Sequence, residues 1–443
     1  MLFSLLIISI ISIIIYGYSG FFKAIFLNDT GAIIPIDFIY GILFLSFLSI
    51  FINFFIPLAN VSHLLFLVGI ILFIYFFLKK KFSVNYLALI LIFSFFIFIS
   101  SNNNLVYDSK LYHLQTIKYN YQFKTILGLS NIEPRLGMNS IWHSFLSIFN
   151  ISIAGYNPIY FINILIYSFF VNSIFQEKKI FKNYSLYLII SLLYILTYSL
   201  FHPYNNGTIL NNIGSPEVDT ISMLFFIITI SLFLDVDAFK KKNVVNLLLA
   251  FIFLSITTKI SNILLFVIAI FILIYKFKLK ENFFSKYYFF LSAASIVWIL
   301  KSFLLSGCLI FPIKQTCFNL KWSLGHENVE GYKNIISAFN RGIFTKQEWS
   351  NFDFTINSFD WFLPWFKHYF LNTELLTISF VIILFLLTLN ILLIFKNYFL
   401  KKKINFNRNE FLILIILIFS LYLWLNAPEI RLGYGPIISI TVF

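Results

Sequence analysis

The chain has 443 residues, of which 60% are hydrophobic and only 11% charged, with a mean hydropathy of +0.89 and a formal net charge of +14. A soluble globular protein carries about 25% charged residues, so the composition excludes an ordinary water-soluble domain. The positive charge lies in short lysine blocks between apolar runs rather than on one folded face, which argues against nucleic acid as a partner and matches the cytoplasmic loops of a membrane protein.

Taken in chain order, apolar runs occur at 2–19, 33–57, 61–78, 82–100, 152–175, 184–201, 220–238, 244–258, 261–277, 287–305, 373–395 and 410–426. A run near 20 residues crosses roughly 30 Å of hydrocarbon as a helix. Helices satisfy their own backbone in lipid, so the runs are read as helices despite many β-branched and aromatic residues. The expected fold is an all-α polytopic membrane protein, one integral-membrane domain over 1–443 with about 12 transmembrane helices. Residues 1–100 supply its N-terminal helices. The first run resembles a signal peptide in length but lacks a basic n-region and a small-residue cleavage site. A further apolar run has only begun at Phe443, so the chain reads as truncated there.

Lysine blocks at 79–81, 178–182, 240–242, 276–286 and 396–403 set an expected topology. They leave 101–150, 202–218 and 306–370 as extracytoplasmic loops. The unusual polar residues gather in these loops or beside them: Asp108, His113, Glu133, Arg135 and His143 in the first, then Glu217 and Asp219. Lys259 lies at a helical hairpin turn, Lys301 near the outer end of its span, and Arg341, Glu348 and His368 in the long loop, with Arg431 after the last clear span. The chain has four arginines among many lysines, Arg135, Arg341, Arg408 and Arg431, and three of them fall on the outer side. Arginine binds phosphate and carboxylate in a planar, bidentate way that lysine does not. A transporter would more often place ionisable groups near the midplane on broken helices, so one-sided clustering favours a reaction site at the outer face.

Each motif also has a purely structural reading. Asp108 can be the N-cap of an amphipathic interfacial helix whose apolar face is Leu111, Leu114 and Ile117, with Lys110 and Lys118 snorkelling. In GSPEVD, Ser215 reads as N-cap and Pro216 as N1, with Glu217 and Asp219 favoured by the helix dipole. Cys308 and Cys317, the only cysteines, can close a disulfide loop in an oxidising compartment or stay as buried thiols. Trp322, Trp349, Trp361 and Trp365 suit an interfacial belt, or faces on which sugars stack. No His or Cys pair has zinc spacing. No motif demands a cofactor, although Asp108, Glu217 and Asp219 could hold Mg²⁺ or Mn²⁺ beside a phosphate.

The run YDSKLYHLQTIKY, followed by ILGLSNIEPRLGMNSIWHSF, resembles the first extracytoplasmic loop of a group of bacterial membrane proteins related to the GT-C glycosyltransferases. The similarity continues through GSPEVD, TTKIS, KSFLLSGCLIFP, WFLPWFKHYF and PEIRLGYGP. The resemblance implies a GT-C-like bundle and a polyprenyl-phosphate-linked sugar as donor. It also implies a glycan or lipid acceptor, and an acidic residue of the first outer loop, here Asp108, acting on the acceptor hydroxyl. GT-C enzymes usually carry that loop after their first helix, so residues 2–78 would be an N-terminal addition. On this reading Asp108 is the base, assisted by His113 or by Glu217 and Asp219. Arg135, Lys259, Lys301, Arg341 and Arg431 are the candidates for the donor phosphate. The alternatives are an O-antigen-type polymerase or ligase, and a lipid-linked-sugar or polysaccharide transporter without chemistry. The expected location is the bacterial cytoplasmic membrane, with the site facing outward.

Overall fold

A computed structural model describes residues 2–79, 81–100, 105, 107–153, 155–176, 188–189, 191–192, 213–234, 241–278, 285–342, 350–372 and 408–442. The expected spans 184–201 and 373–395, the loop residues 202–212, Glu348, Trp349 and most of the second and fifth lysine blocks lie wholly or largely outside them. The regular secondary structure of the described residues is all helical, with isolated bridges and no strand among them.

The helices are α1 Leu2–Phe22, α2 Phe38–Asn53, α3 Ser62–Leu78, α4 Tyr86–Ser100, α5 Leu114–Gln122, α6 Ile141–Ile148, α7 Ile162–Gln176 and α8 Asp219–Leu234. They continue as α9 Lys242–Thr258, α10 Phe266–Lys278, α11 Lys286–Ser306, α12 His326–Gly342, α13 Phe362–Asn372, α14 Arg408–Trp424 and α15 Tyr434–Val442. Among the described residues four stretches are long and apolar enough to cross a membrane: Phe3–Leu27, Pro35–Asn53, Ile260–Phe277 and Lys286–Ser306. Seven further apolar helices among the described residues have 10–17 residues. The expectation of about 12 spans is therefore not supported. At 1.5 Å per residue, 17 residues reach only about 25 Å, and several apolar runs are shortened by what flanks them. The run 152–175, for example, begins its α-helix only at Ile162, after the turn at Asn157 and Pro158.

α8 is buried along its whole length and packs between α9 and α15, which explains why it is apolar on every face. α1 packs on α2 and α3. A Cβ at Gly41 would lie 2.1 Å from the Ile15 carbonyl oxygen, so this close helix contact admits no larger side chain. α3, α4, α10 and α11 turn large apolar groups outward, among them Leu67, Phe77, Leu91, Phe277, Phe289 and Ile296, as helices facing hydrocarbon do.

The two ends of the bundle differ. At one end Tyr287 Oη donates to the Asn246 carbonyl at 2.5 Å, and Phe22 stacks on Tyr40 and meets Phe290 edge-on. This end carries Lys241, Lys242, Lys276 and Lys286. At the opposite end α8 begins and α9, α11 and α14 finish, and the candidate site is built there.

Three local expectations are corrected. Ser215 is not a helix cap: α8 starts at Asp219, and Ser215 Oγ instead hydrogen-bonds Ser109 Oγ at 2.5 Å. In 107–122 the wide π-turn Ser109–His113 shifts the phase of the helix. Ser109, His113, Thr116, Ile117 and Asn120 become the buried face, while Leu111 points outward. Trp361 and Trp365 are buried against Trp424 and Ile437 rather than set in an interfacial belt.

Candidate functional site

A cavity of about 450 Å³, within the usual range for small-molecule sites, opens at the end of the bundle where α8 begins. It draws Asp108, Tyr112 and His113 from the segment before α5, Arg135 from the loop into α6, His143 from α6 itself, and Asp219 from the first turn of α8. Lys259 comes from just after α9, Trp298 from α11, Tyr332 from α12 and Arg431 from the turn between α14 and α15.

Asp108 is not a cap. Its backbone is helical and its side chain caps nothing; its Oδ2 lies 2.5 Å from Arg431 Nη1. Arg431 also holds Glu429, whose carboxylate meets Nε and Nη2 together, the second contact at 3.1 Å. This fork geometry is one that lysine cannot offer. Lys259 forms an ion pair with Asp219. Two of the cations that line the cavity are thus each matched to carboxylate. Arg135 is more open, 3.8 Å from Glu133 and 6.0 Å from the centre of the Tyr112 ring.

His113 Nδ1 and His143 Nε2 lie 2.7 Å apart, both rings almost fully buried. Burial first, then the Arg431 and Lys259 charges, pull His113 from its usual 6.5 down to about 3. Burial and the neighbouring His113 and Lys301 push His143 down as well. Both rings are neutral at physiological pH. His143 Nδ1 has no hydrogen-bond partner among the described residues, and neither do Thr258 Oγ1 and Tyr332 Oη. All three residues line the cavity.

Other expected site residues lie elsewhere. Glu217 is buried before α8 and accepts from the Thr220 and Asp219 amides at 3.1 and 3.3 Å. It therefore closes the start of the helix rather than facing the cavity. Burial, reinforced by Asp219, raises it to about 8. Lys301 is buried in a polar knot with Asn120 Oδ1 at 2.9 Å, Ser144 Oγ at 3.0 Å and Asn53 Oδ1 at 3.3 Å. Arg341 donates to the Thr355 carbonyl at 3.0 Å and the Leu425 carbonyl at 3.3 Å, and lies over Trp361. It pins α12 to the α14 end and does not line the cavity. Cys308 and Cys317 are disulfide-bonded within a small apolar cluster beside it.

Among the described residues no three His, Cys, Asp or Glu side chains converge on a point a metal could occupy. Asp108 and Asp219 each face a cation instead. The described residues do not fit a protein-held Mg²⁺ or Mn²⁺. His143 is expected in the first outer loop but not among the site residues, and no motif in the sequence marks Tyr112, Trp298 or Tyr332 for the site. Their only signal was proximity to the polar loops.

Fold and site together define a helical protein with membrane-length spans and a charged cavity at one end of its bundle. By sequence, the chain belongs to the family described as a domain of unknown function (DUF8201), which it matches over residues 1–438. No curated protein and no solved structure matches it.

Proposed function

We propose that this protein is an integral-membrane glycosyltransferase of GT-C-like architecture. It takes a sugar from a polyprenyl-phosphate donor and transfers it to an acceptor at the outer face of a bacterial cytoplasmic membrane, in cell-surface polysaccharide or glycolipid synthesis. The observation that supports this most is the convergence of Arg431 and Lys259, each paired with carboxylate, on one cavity that also holds a neutral histidine pair.

In such a transfer the bond from the anomeric carbon to the phosphate oxygen breaks, and the acceptor oxygen bonds to that carbon. The leaving phosphate keeps the electron pair, and the acceptor loses a proton. Arg431 and Lys259 would stabilise the charge growing on the phosphate. Asp108 and Asp219 hold those cations in position before the donor arrives, so little reorganisation is needed at the moment of reaction. Ile335, Ile336 and Phe339 of α12 give the cavity an apolar wall along which a polyprenyl tail can lie.

Asp108→Asn tests the reading, because it keeps size and removes the charge that holds Arg431. Membranes with the variant should transfer labelled sugar from polyprenyl phosphate at least tenfold more slowly than wild type. A normal rate would remove Asp108 from the site. Movement of lipid-linked sugar by wild type without covalent transfer would replace the enzyme reading with a transporter.

A further inference from the structure

Two observations set the histidine pair apart from the charged part of the cavity. His143 is 2% exposed, lines the cavity, and leaves Nδ1 without a partner among the described residues. A buried polar atom in that position is costly unless something completes it. The other ring nitrogen, Nε2, is engaged 2.7 Å from His113 Nδ1. Only one proton fits between those two atoms, so the pair has two neutral tautomeric arrangements. In one, His143 Nδ1 carries a proton; in the other it is a bare lone pair facing the cavity.

We propose that the His113–His143 pair is the acceptor subsite of this cavity, that it selects a neutral hydroxyl group, and that His143 Nδ1 takes the proton of that hydroxyl. The inference rests on the glycosyl-transfer reading and gives that reaction its acceptor class and its base. The acceptor O–H proton passes to His143 Nδ1 as its oxygen bonds to the sugar carbon. The proton on His143 Nε2 moves to His113 Nδ1, and the proton on His113 Nε2 leaves to cavity water. Nothing is oxidised or reduced, and the pair ends in its opposite tautomer, from which exchange with water resets it.

The surroundings favour this acceptor class. Arg431 and Lys259 act on His113, while Lys301 acts on His143, with Asp219 the one opposing charge; the Tyr112 ring lies against His113. Three cations near two neutral rings repel an ammonium acceptor. A carboxylate acceptor would be captured by the cations instead of the rings. A neutral hydroxyl suffers neither fate, and Thr258 Oγ1 and Tyr332 Oη supply further unpartnered groups for neighbouring hydroxyls. Burial keeps His113 neutral first, and the two cations that add to it are those proposed to take the donor phosphate. Anion binding there would offset them and raise the proton affinity of the pair when the base is needed. Asp108 is paired with Arg431, which leaves His143 Nδ1 as the neutral base without a partner among the described residues.

The experiment uses the full chain in lipid nanodiscs with two readouts. Gln at 143 can keep the link to His113 Nδ1 while removing the nitrogen that faces the cavity. His143→Gln should therefore fold with wild-type thermal stability yet transfer sugar about 10²–10⁴-fold more slowly, the usual contribution of a general base. Its residual rate should lose the acid limb of the wild-type pH profile. His143→Asn, which places an amide near the Nδ1 position, should recover part of the acceptor affinity and none of the pH limb. Separately, ¹⁵N-histidine spectra of wild type should show His143 Nδ1 shifting on addition of neutral methyl glycosides, and not on addition of the corresponding amino sugars. Unchanged turnover or an unchanged pH limb in His143→Gln overturns the proton-acceptor role. An unmoved Nδ1 signal across the methyl glycosides overturns the subsite. If wild type transfers no sugar from any lipid phosphate, the glycosyl-transfer reading fails, while the spectra still decide whether His143 binds a hydroxyl compound.

Discussion

Arg431 offers the most demanding test of how the cavity is held together. Its guanidinium joins Asp108, before α5, to Glu429, before α15, with its side chain 21% exposed and the two carboxylates 19% and 26% exposed. Breaking a buried pair by removing one partner costs about 3–5 kcal/mol. With roughly a fifth of each group open to solvent, screening reduces that, and we expect about 2 kcal/mol for Arg431→Gln. The loss comes from leaving carboxylates without their cation, so it should be partly relieved when Asp108 is neutralised as well. Arg431→Gln with Asp108→Asn should be more stable than the sum of the single losses by about 1 kcal/mol. Arg431→Lys, which keeps the charge without the fork, should lose about half as much as Gln. Denaturant or thermal unfolding of the four proteins in the same detergent gives the cycle. Strict additivity, within about 0.5 kcal/mol, would show that Arg431 and Asp108 do not act as a pair.

Two further outcomes follow from single features. Glu217 is raised to about 8 by burial and Asp219, so the folded state holds its proton where the unfolded chain has released it. The stability linked to this group is full below the ordinary carboxylate value and is lost as pH rises from there to about 8. Glu217→Gln, which still accepts from the Thr220 amide, should flatten that part of the stability–pH curve; an unchanged slope would mean that Glu217 does not titrate there. Opening the Cys308–Cys317 loop, with its sequence separation of 9, should lower stability by about 2–3 kcal/mol on loop-entropy grounds. Cys308→Ser with Cys317→Ser, compared with wild type by unfolding, checks this, and equal stabilities would contradict it.

The general placement of the site was readable because membrane composition leaves few polar residues, and those few stood in loops on one side of the lysine blocks. Asp108, His113, Arg135, Asp219, Lys259 and Arg431 do meet in one cavity. The pairings were not readable. Nothing near Asp108 in sequence points to Arg431, and a helix-capping aspartate has the same local signature as one held by a distant guanidinium. The π-turn at Ser109–His113 moved the buried face by an amount that an α-helical period cannot anticipate. Lys301 and Arg341 looked like phosphate ligands because charge was the only property visible; the structure gives one to side-chain amides and a hydroxyl, the other to backbone carbonyls. The count of about 12 spans is not supported among the described residues, because hydropathy sees an apolar run without its turns. Asn157 and Pro158 shorten one helix in a way that the mean hydropathy of the run conceals.

The proposed reaction breaks, in this cavity, the bond between a sugar and a lipid phosphate. Purified protein in proteoliposomes, given a panel of radiolabelled polyprenyl-phosphate sugars together with a mixture of neutral glycan acceptors, tests it directly. Consumption of at least one donor is expected, with release of polyprenyl phosphate in step with a new glycoside, and loss of both on Arg431→Gln and Lys259→Met. Release at the same rate from those two variants, or no release from any donor by wild type, would contradict it.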